Sequence, residues 1–217
     1  MKESYMEFGL DSFNEIHTLE LLLFYAIPRK DTDPIAHGLL ERFGSLSAVF
    51  DASARELMEV PGVGPNAAAL ITMIPQLNKK IEISRVKDVK YFDRAASIAK
   101  YLIPRFMNEK DELVLLLCLD NRNCLVCLEV LNRGVVNAVD VSIRRLVECA
   151  LKHRSTSVVL AHNHPAGPPL PSLEDEAYTE QAQKALRLVG IHLQDHIIIS
   201  GKHYISMGDH GLLRRSY

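Results

Sequence analysis

The sequence predicts a two-domain α+β protein, with an all-α N-terminal domain followed by a C-terminal α/β domain whose mixed sheet is flanked by helices. Two observations predict this class. The first part of the chain contains short helical segments separated by turn residues, without period-two hydrophobicity. Further along, continuous apolar runs such as ELVLLLCLD and SVVLAH alternate with helical patterns, as in a sheet covered on both faces. The predicted domains are residues 1–85 and 95–217, joined by a charged linker at 86–94.

Composition and charge narrow the class of protein. The chain has 217 residues, 47% of them hydrophobic, and a formal net charge of −2, which is typical of a globular protein rather than of one that coats nucleic acid. The longest apolar run near the N-terminus, Leu21–Ile27, is far shorter than the roughly 20 residues that a membrane span needs, so no membrane association is expected. The segment MKESYMEFGL lacks the pattern of a secretory signal, which predicts a cytoplasmic location.

The four cysteines include one C-x-x-C spacing, formed by Cys124 and Cys127. Both lie in a predicted strand, NCLVCLEVL, where side chains three residues apart point to opposite faces. We therefore expect these thiols to be structural rather than redox-active or metal-binding.

The N-terminal helices have explicit start and stop signals. Asp33 before Pro34 predicts a helix cap followed by a proline in the first turn, and Gly44 predicts the end of that helix. Ser53 and Glu56 have the spacing of a capping box.

A glycine-rich turn, PGVGP, joins two of these helices, and its two glycines permit unusual backbone angles. Leu57, Val60, this turn and the alanines that follow resemble the helix-hairpin-helix motif. The resemblance implies that the backbone N–H groups of Gly62, Val63 and Gly64 bind a DNA phosphate without reading base sequence.

The charge of this region favours another role for the hairpin. Asn66 occupies the position where DNA-binding members usually have a lysine, and residues 1–86 contain twelve acidic and eight basic side chains. Phosphate neutralisation supplies most non-specific affinity, so DNA contact is expected to be weak. Packing or partner docking is the favoured role, and DNA contact stays open.

The C-terminal domain is predicted to contain a helix, a hairpin, a second helix, a buried strand, a long helix and a closing strand pair. The corresponding segments are 95–106, 112–132 with its turn at 121–123, 141–152, 157–162, 173–188 and 196–207.

The segment VVLAHNHP places two histidines at the end of a predicted strand. His162 and His164 are two residues apart, so their imidazoles project to the same face and can share one ion. After seven residues come Ser172 and, three positions later, Asp175. An imidazole pair and a carboxylate are zinc ligands, and three protein ligands leave a fourth position open, as in catalytic sites.

Ser172 and Asp175 also have the spacing of an N-terminal capping pair for the helix that follows. Capping accounts for neither histidine, and the two roles are compatible. The prolines between His164 and Ser172 restrict the loop, so that it loses less entropy in returning the helix start to the histidines.

The pattern H-x-H-x7-S-x-x-D is similar to the JAMM motif, also called MPN-plus, of metal-dependent isopeptidases. Residues from about 15 to the end, including HNHPAG, PSLED and DHIIIS, resemble the RadC family. The resemblance implies a cytidine-deaminase-like C-terminal fold, with Glu112 as general acid and base and Ser172 as oxyanion donor. Glu129 is the alternative candidate for this general base. The family order is the glutamate, two strands, a helix and then the histidine strand, and Glu129 lies too late in that order. Asp195-His196 is also similar to a family signature and is expected to support the ligands.

These features predict a zinc-dependent hydrolase with one ion per chain, held by His162, His164 and Asp175 and cleaving an amide or isopeptide bond in an unidentified protein or peptide. The alternative is a DNA-binding or scaffolding protein linked to DNA repair, with a structural or vestigial metal site.

Overall fold

A computed structural model describes residues 1–135 and 141–213. The chain forms two compact units, Met1–Lys80 and Ile81–Tyr217. The first unit is helical and the second contains a mixed sheet with helices, so the predicted two-domain α+β class is confirmed. Among the described helices, none combines the length and the apolar character that crossing a membrane requires.

The helices of the first unit pack around a small apolar core. Its largest fully buried side chains are Leu19, Leu23, Leu39, Leu57 and Ile71. The helices are α1 Lys2–Phe8, α2 Glu15–Ala26, α3 Asp33–Phe43, α4 Leu46–Asp51, α5 Ala54–Leu57 and α6 Pro65–Arg85, the last of which continues into the second unit.

The caps of these helices agree with the sequence except at one position. The Ser53–Glu56 capping box is confirmed, and Gly44 ends α3 with φ +86°. Asp33, which was predicted as a cap, is instead the first residue of α3, and its N–H is held by the Asp31 carboxylate. A carboxylate two residues earlier satisfies an N–H of the first turn, so Asp33 is not needed as a cap.

The second unit contains the remaining described elements. They are α7 Ala95–Phe106, β1 Glu112–Leu119, β2 Leu125–Val135, α8 Ile143–Lys152, β3 Ser157–Asn163, α9 Leu173–Leu188, β4 His192–Ser200 and β5 His203–Ser206.

The five strands form one sheet in the order β2-β1-β3-β4-β5. β3 and β4 are parallel, and the other neighbouring pairs are antiparallel. A parallel pair needs a crossover, which the loop after β3 and helix α9 supply. The two hairpin turns lie where the sequence predicted them, with Asn123 at φ +57° and Gly201 at φ +57°.

Both faces of the sheet are covered, which explains the continuous apolar sequence of β1. Leu113, Leu115 and Leu117 pack in one core cluster with residues of α7. Val114 and Leu116 pack in a second cluster with residues of α8 and α9. Successive side chains of a strand point to opposite faces, so the part of β1 that is buried on both sides, Leu113–Leu119, is apolar throughout.

Part of the stretch predicted as a linker packs in the second unit. Phe92 is fully buried, and its N–H donates to the carbonyl of Asn123. The Leu125 N–H donates to the carbonyl of Lys90. The charged residues around Phe92 make the segment resemble a linker in composition, so the sequence did not predict this short backbone pairing.

Candidate metal centre

Strand β3 brings the two predicted histidines to the centre of the sheet. His162 pairs with Val114 of β1 and Ile198 of β4, and its side chain is fully buried. His164 follows the strand end, and its N–H donates to the carbonyl of Ile199 at 2.8 Å, which extends the pairing with β4. The two Nε2 atoms are 3.0 Å apart, so both imidazoles point to one place.

The proline-rich loop after His164 is anchored at two points. His164 Nδ1–H donates to the carbonyl of Pro168 at 3.0 Å, which leaves its Nε2 lone pair directed at His162. The Ser200 hydroxyl donates to the carbonyl of Gly167 at 2.5 Å. Restricted backbone angles and these bonds return the chain to the histidines at the start of α9.

Ser172 and Asp175 form a capping box at this helix start. The Ser172 N–H and hydroxyl donate to Asp175 Oδ2 at 2.9 and 2.7 Å, and the Asp175 N–H donates back to the hydroxyl oxygen. Asp175 Oδ1 lies 3.3 Å from His162 Nε2, and Oδ2 lies 3.7 Å from His164 Nε2. One carboxylate therefore closes the cap and faces both histidines.

Glu112 is the first residue of β1, two positions before the partner of His162, and it lies on the same face as that histidine. Asn163 fixes the chain on both sides of it: the Asn163 side chain accepts from the Leu113 N–H and donates to the Asp111 carbonyl. The carboxylate of Asp175 raises the pKa of His164, and the negative charge of Glu112 adds a smaller effect in the same direction.

Glu129, the rival for the base, has other neighbours. His153 Nε2–H donates to Glu129 Oε1 at 2.8 Å, and Lys152 Nζ lies 3.7 Å from the same oxygen. The hydrogen bond from His153 is the main reason that the pKa of Glu129 is lowered. The roles of Glu112 and Glu129 remain predictions.

A family model for the RadC-like JAB domain matches residues 92–212, which is more than half of the chain. The chain belongs to the RadC family. The matched segment of this RadC-family chain includes Glu112, both histidines, Ser172 and Asp175.

The RadC-family site fits a metal ion by its donor set. His162, His164 and Asp175 each offer one ligand atom, and these atoms lie within 4.8 Å of one another. Two imidazole nitrogens and one carboxylate oxygen are a set that catalytic zinc sites use.

The charge state of the centre suits a cation. Burial alone would raise the pKa of Asp175, but the imidazoles of His162 and His164 beside its carboxylate hold it well below its usual range. Asp175 is therefore an anion beside two imidazoles. Burial also lowers the pKa of His196 far below its ordinary value, so this ring is neutral.

A buried chain of hydrogen bonds orients His162. His162 Nδ1 lies 2.9 Å from His196 Nε2, and His196 Nδ1 lies 2.6 Å from the Thr179 hydroxyl, which donates to the backbone carbonyl of Asp175. With His196 neutral, the consistent assignment has each Nδ1–H donating along the chain, which leaves the His162 Nε2 lone pair for a metal.

Sequence reasoning identified His196 but missed Thr179 and Asn163. Thr179 lies four residues after Asp175, on the same face of α9, and that helical spacing is the signal that could have found it. Asp195 acts further out: its carboxylate accepts from the N–H groups of His196 and Gly208 and from the Ser206 hydroxyl.

The helical unit of this RadC-family chain lies outside the matched segment. Of the two turn glycines, Gly62 has φ +94°, whereas the backbone of Gly64 has an ordinary angle. A Cβ at Gly62 would lie 2.8 Å from the Ile35 side chain, and Val63 is buried, so the turn packs closely against α3. A Cβ at Gly64 would meet open space, and DNA contact at this turn stays a prediction.

Proposed function

We propose that this RadC-family chain is a zinc-dependent hydrolase that cleaves an amide or isopeptide bond in a protein or peptide. The convergence of His162, His164 and Asp175 supports the proposal, because the carboxylate comes from a helix that starts nine residues after the second histidine. A zinc ion with three such ligands polarises a carbonyl oxygen and lowers the pKa of a coordinated water toward neutrality.

In the proposed reaction Glu112 moves the proton. Its carboxylate takes a proton from the attacking water and delivers it to the leaving nitrogen, which is general acid–base catalysis by one group. The Asn163 side chain positions it by holding the backbone on both sides. A base must lie within hydrogen-bond reach of its water, and this clamp limits how far Glu112 can move.

Ser172 is proposed to donate a hydrogen bond to the substrate oxygen as negative charge develops there. Its hydroxyl now donates to Asp175 Oδ2, so the O–H must turn away from the carboxylate for this role. The Asp175 N–H holds the hydroxyl oxygen in place and leaves the O–H free to rotate.

The test is a substrate screen on the zinc-loaded full chain, with peptides and isopeptide-linked peptides, comparing the parent with Glu112→Gln. We expect Glu112→Gln to keep its zinc and to lose turnover by about 10² to 10⁴-fold, the usual contribution of a general base. Asp111→Asn, a change of the exposed neighbouring acid, is the matched control and should keep turnover.

Two results would overturn parts of this proposal. Loss of turnover in Glu129→Gln but not in Glu112→Gln would make Glu129 the base. A parent that binds zinc but cleaves no substrate in the screen would favour a structural or vestigial site, as in the scaffolding alternative.

A second proposal is weak DNA contact at the hairpin, which would fit a role in DNA repair. It is supported by the open space beside Gly64 at the start of α6 and by the rigid turn around Gly62. Duplex titration of the full chain at low salt should show weak binding. Asn66→Lys should tighten it and steepen the salt dependence by about one unit of slope. An absence of binding in both proteins would rule out DNA contact at the hairpin.

A cytoplasmic location also stays a prediction.

A further inference from the structure

A second group of potential ligands lies on the edge strand of the sheet. Cys127 and Glu129 of β2 and His153, directly after α8, each offer one ligand atom, and these atoms lie within 4.8 Å of one another. Cys127 Sγ is 3.9 Å from Glu129 Oε1, and His153 Nε2 is 2.8 Å from the same oxygen. All three side chains are partly buried, so solvent and ions can reach them.

Local structure brings these three side chains together. Cys127 and Glu129 are two residues apart on β2, so both point to the face that packs against α8. Helix α8 ends beside them, where the His153 N–H donates to the carbonyl of Cys149. Arg145 of α8 donates to the carbonyl of Val130, which fixes the helix against the strand.

The donor set and spacing suit a borderline-soft divalent cation. Zinc binds thiolate, imidazole and carboxylate, and with bond lengths of about 2.0 to 2.3 Å its tetrahedral ligands lie about 3.3 to 3.6 Å apart. The contacts of 3.9 and 2.8 Å lie on either side of that range, so shifts of about half an ångström would enclose an ion. The carbonyls at the end of α8 carry partial negative charge, which also favours a cation there.

Lys152 is the group that opposes a cation at this place. Its Nζ lies 3.7 Å from Glu129 Oε1, and its side chain is 72% exposed. A long exposed lysine can turn into solvent at little cost, and the strength of such surface pairs is modest. In its other neutral tautomer, with the proton on Nδ1, His153 offers the Nε2 lone pair to a metal and keeps its position, because the ring is already directed at the carboxylate.

This group lies apart from the histidine pair of β3. Cys127 pairs with Cys118, which in turn pairs with Val158 of β3. Val158 precedes His162 by four residues, or about 13 Å along the strand. We propose that Cys127, Glu129 and His153 form a second divalent-metal site, which takes a thiophilic ion such as Zn²⁺, leaves the fourth position to water and ties β2 to α8.

The sulfur ligand provides a direct test with Co²⁺ as the probe. We call the group of His162, His164 and Asp175 the first centre. Its ligand atoms are nitrogen and oxygen, so a thiolate-to-cobalt charge-transfer absorption reports on the second site alone. We expect the full chain, in a thiol-free reductant, to bind two equivalents of Co²⁺ and to show this band.

The variants identify the thiol and check the fold. Cys127→Ser should lose the band and one equivalent, and His153→Ala should lose one equivalent, while both keep the equivalent at the first centre as evidence of folding. Cys124→Ser, the other cysteine of the same C-x-x-C, is the matched control and should keep the band and both equivalents. No band in the parent, or a band that survives Cys127→Ser, would overturn the proposal.

The outcome does not depend on the proposed hydrolase. Asp175→Ala should lose the other equivalent and retain the charge-transfer band. A chain without hydrolase activity can therefore still contain the second site, and an active chain can lack it.

Discussion

The two ligand groups of the C-terminal unit contain a histidine and a carboxylate each, but they differ in burial and in support. In the first group the side chains of His162 and Asp175 are 0% and 5% exposed and that of His164 is 19% exposed; in the second, His153 and Glu129 are 19% and 34% exposed. In the first group His162 is on the central strand β3, whereas Cys127 and Glu129 of the second group are on the edge strand β2.

The two groups differ more in the hydrogen bonds that orient their side chains than in the types of ligand they contain. Every ligand of the first group has a second partner that orients it: His196 for His162, the carbonyl of Pro168 for His164, and Ser172 for Asp175. In the second group Glu129 is shared with the competing ammonium of Lys152. Outer partners raise metal affinity, so we expect the first centre to bind zinc more tightly than the second.

The largest effect should come from Asp175→Ala, because this side chain is both a ligand and the capping acceptor of α9. We expect zinc affinity at the first centre to fall by more than the roughly 100-fold that loss of an outer partner costs. With a chelator present, unfolding should still show about 1 kcal/mol lost with the cap. Metal analysis and thermal unfolding measure the two effects.

Glu174→Ala is the control for this change, because Glu174 is an exposed acid in the same helical turn. It should keep its zinc. Full zinc content in Asp175→Ala would contradict the assignment of this ligand.

A smaller effect is expected from the hydrogen-bond chain behind His162. Thr179→Val removes the acceptor of the His196 ring at nearly constant volume, and His196→Ala removes the partner of His162 itself. Both should lower zinc affinity at the first centre by about 10 to 100-fold, measured by competition with a chelator. His192 is an exposed histidine of β4, the strand that contains His196, and His192→Ala should leave the zinc affinity unchanged. Unaltered zinc affinity in both Thr179→Val and His196→Ala would show that the orientation of His162 does not depend on these hydrogen bonds.

The second group should respond to Lys152→Ala in the opposite direction. Removing the ammonium beside Glu129 should raise Co²⁺ affinity there by about 1.4- to 5-fold, the range that exposed ion pairs of about 0.2 to 1 kcal/mol allow. The gain should shrink at high salt, since exposed charges are screened. Lys184→Ala, which removes an exposed lysine paired with Glu180 on α9, is the control. A decrease in affinity would mean that Lys152 assists the site.

The smallest effect is a pH dependence of the metal-free protein. The hydrogen bond from His153 lowers the pKa of Glu129 below its ordinary value of 4.5, so this pair stabilises the fold above that pH. The contribution is lost as pH falls through the lowered pKa. The difference in unfolding free energy between the parent and Glu129→Gln should be at most about 1 kcal/mol near neutrality and should vanish at low pH. A difference that grows toward low pH would contradict this.

The sequence determined those features that depend on neighbours along the chain. Strand and helix periods predicted the elements of the second unit, and spacing on one strand predicted that His162 and His164 share a face. Spacing also predicted the Ser172–Asp175 capping box, which is present. Each of these rests on contacts over a few residues, whose geometry is nearly fixed by the type of element.

The tertiary structure decided the features that depend on strand order and on how helices pack. His162 and His196 are 34 residues apart and meet only because β3 and β4 are neighbours in the sheet. The sequence indicates a structural Cys127, and the proposed second site depends on the end of α8, which places His153 beside Glu129. Contacts of this kind arise from long-range packing of the whole unit, and the spacing of residues along the chain does not predict them.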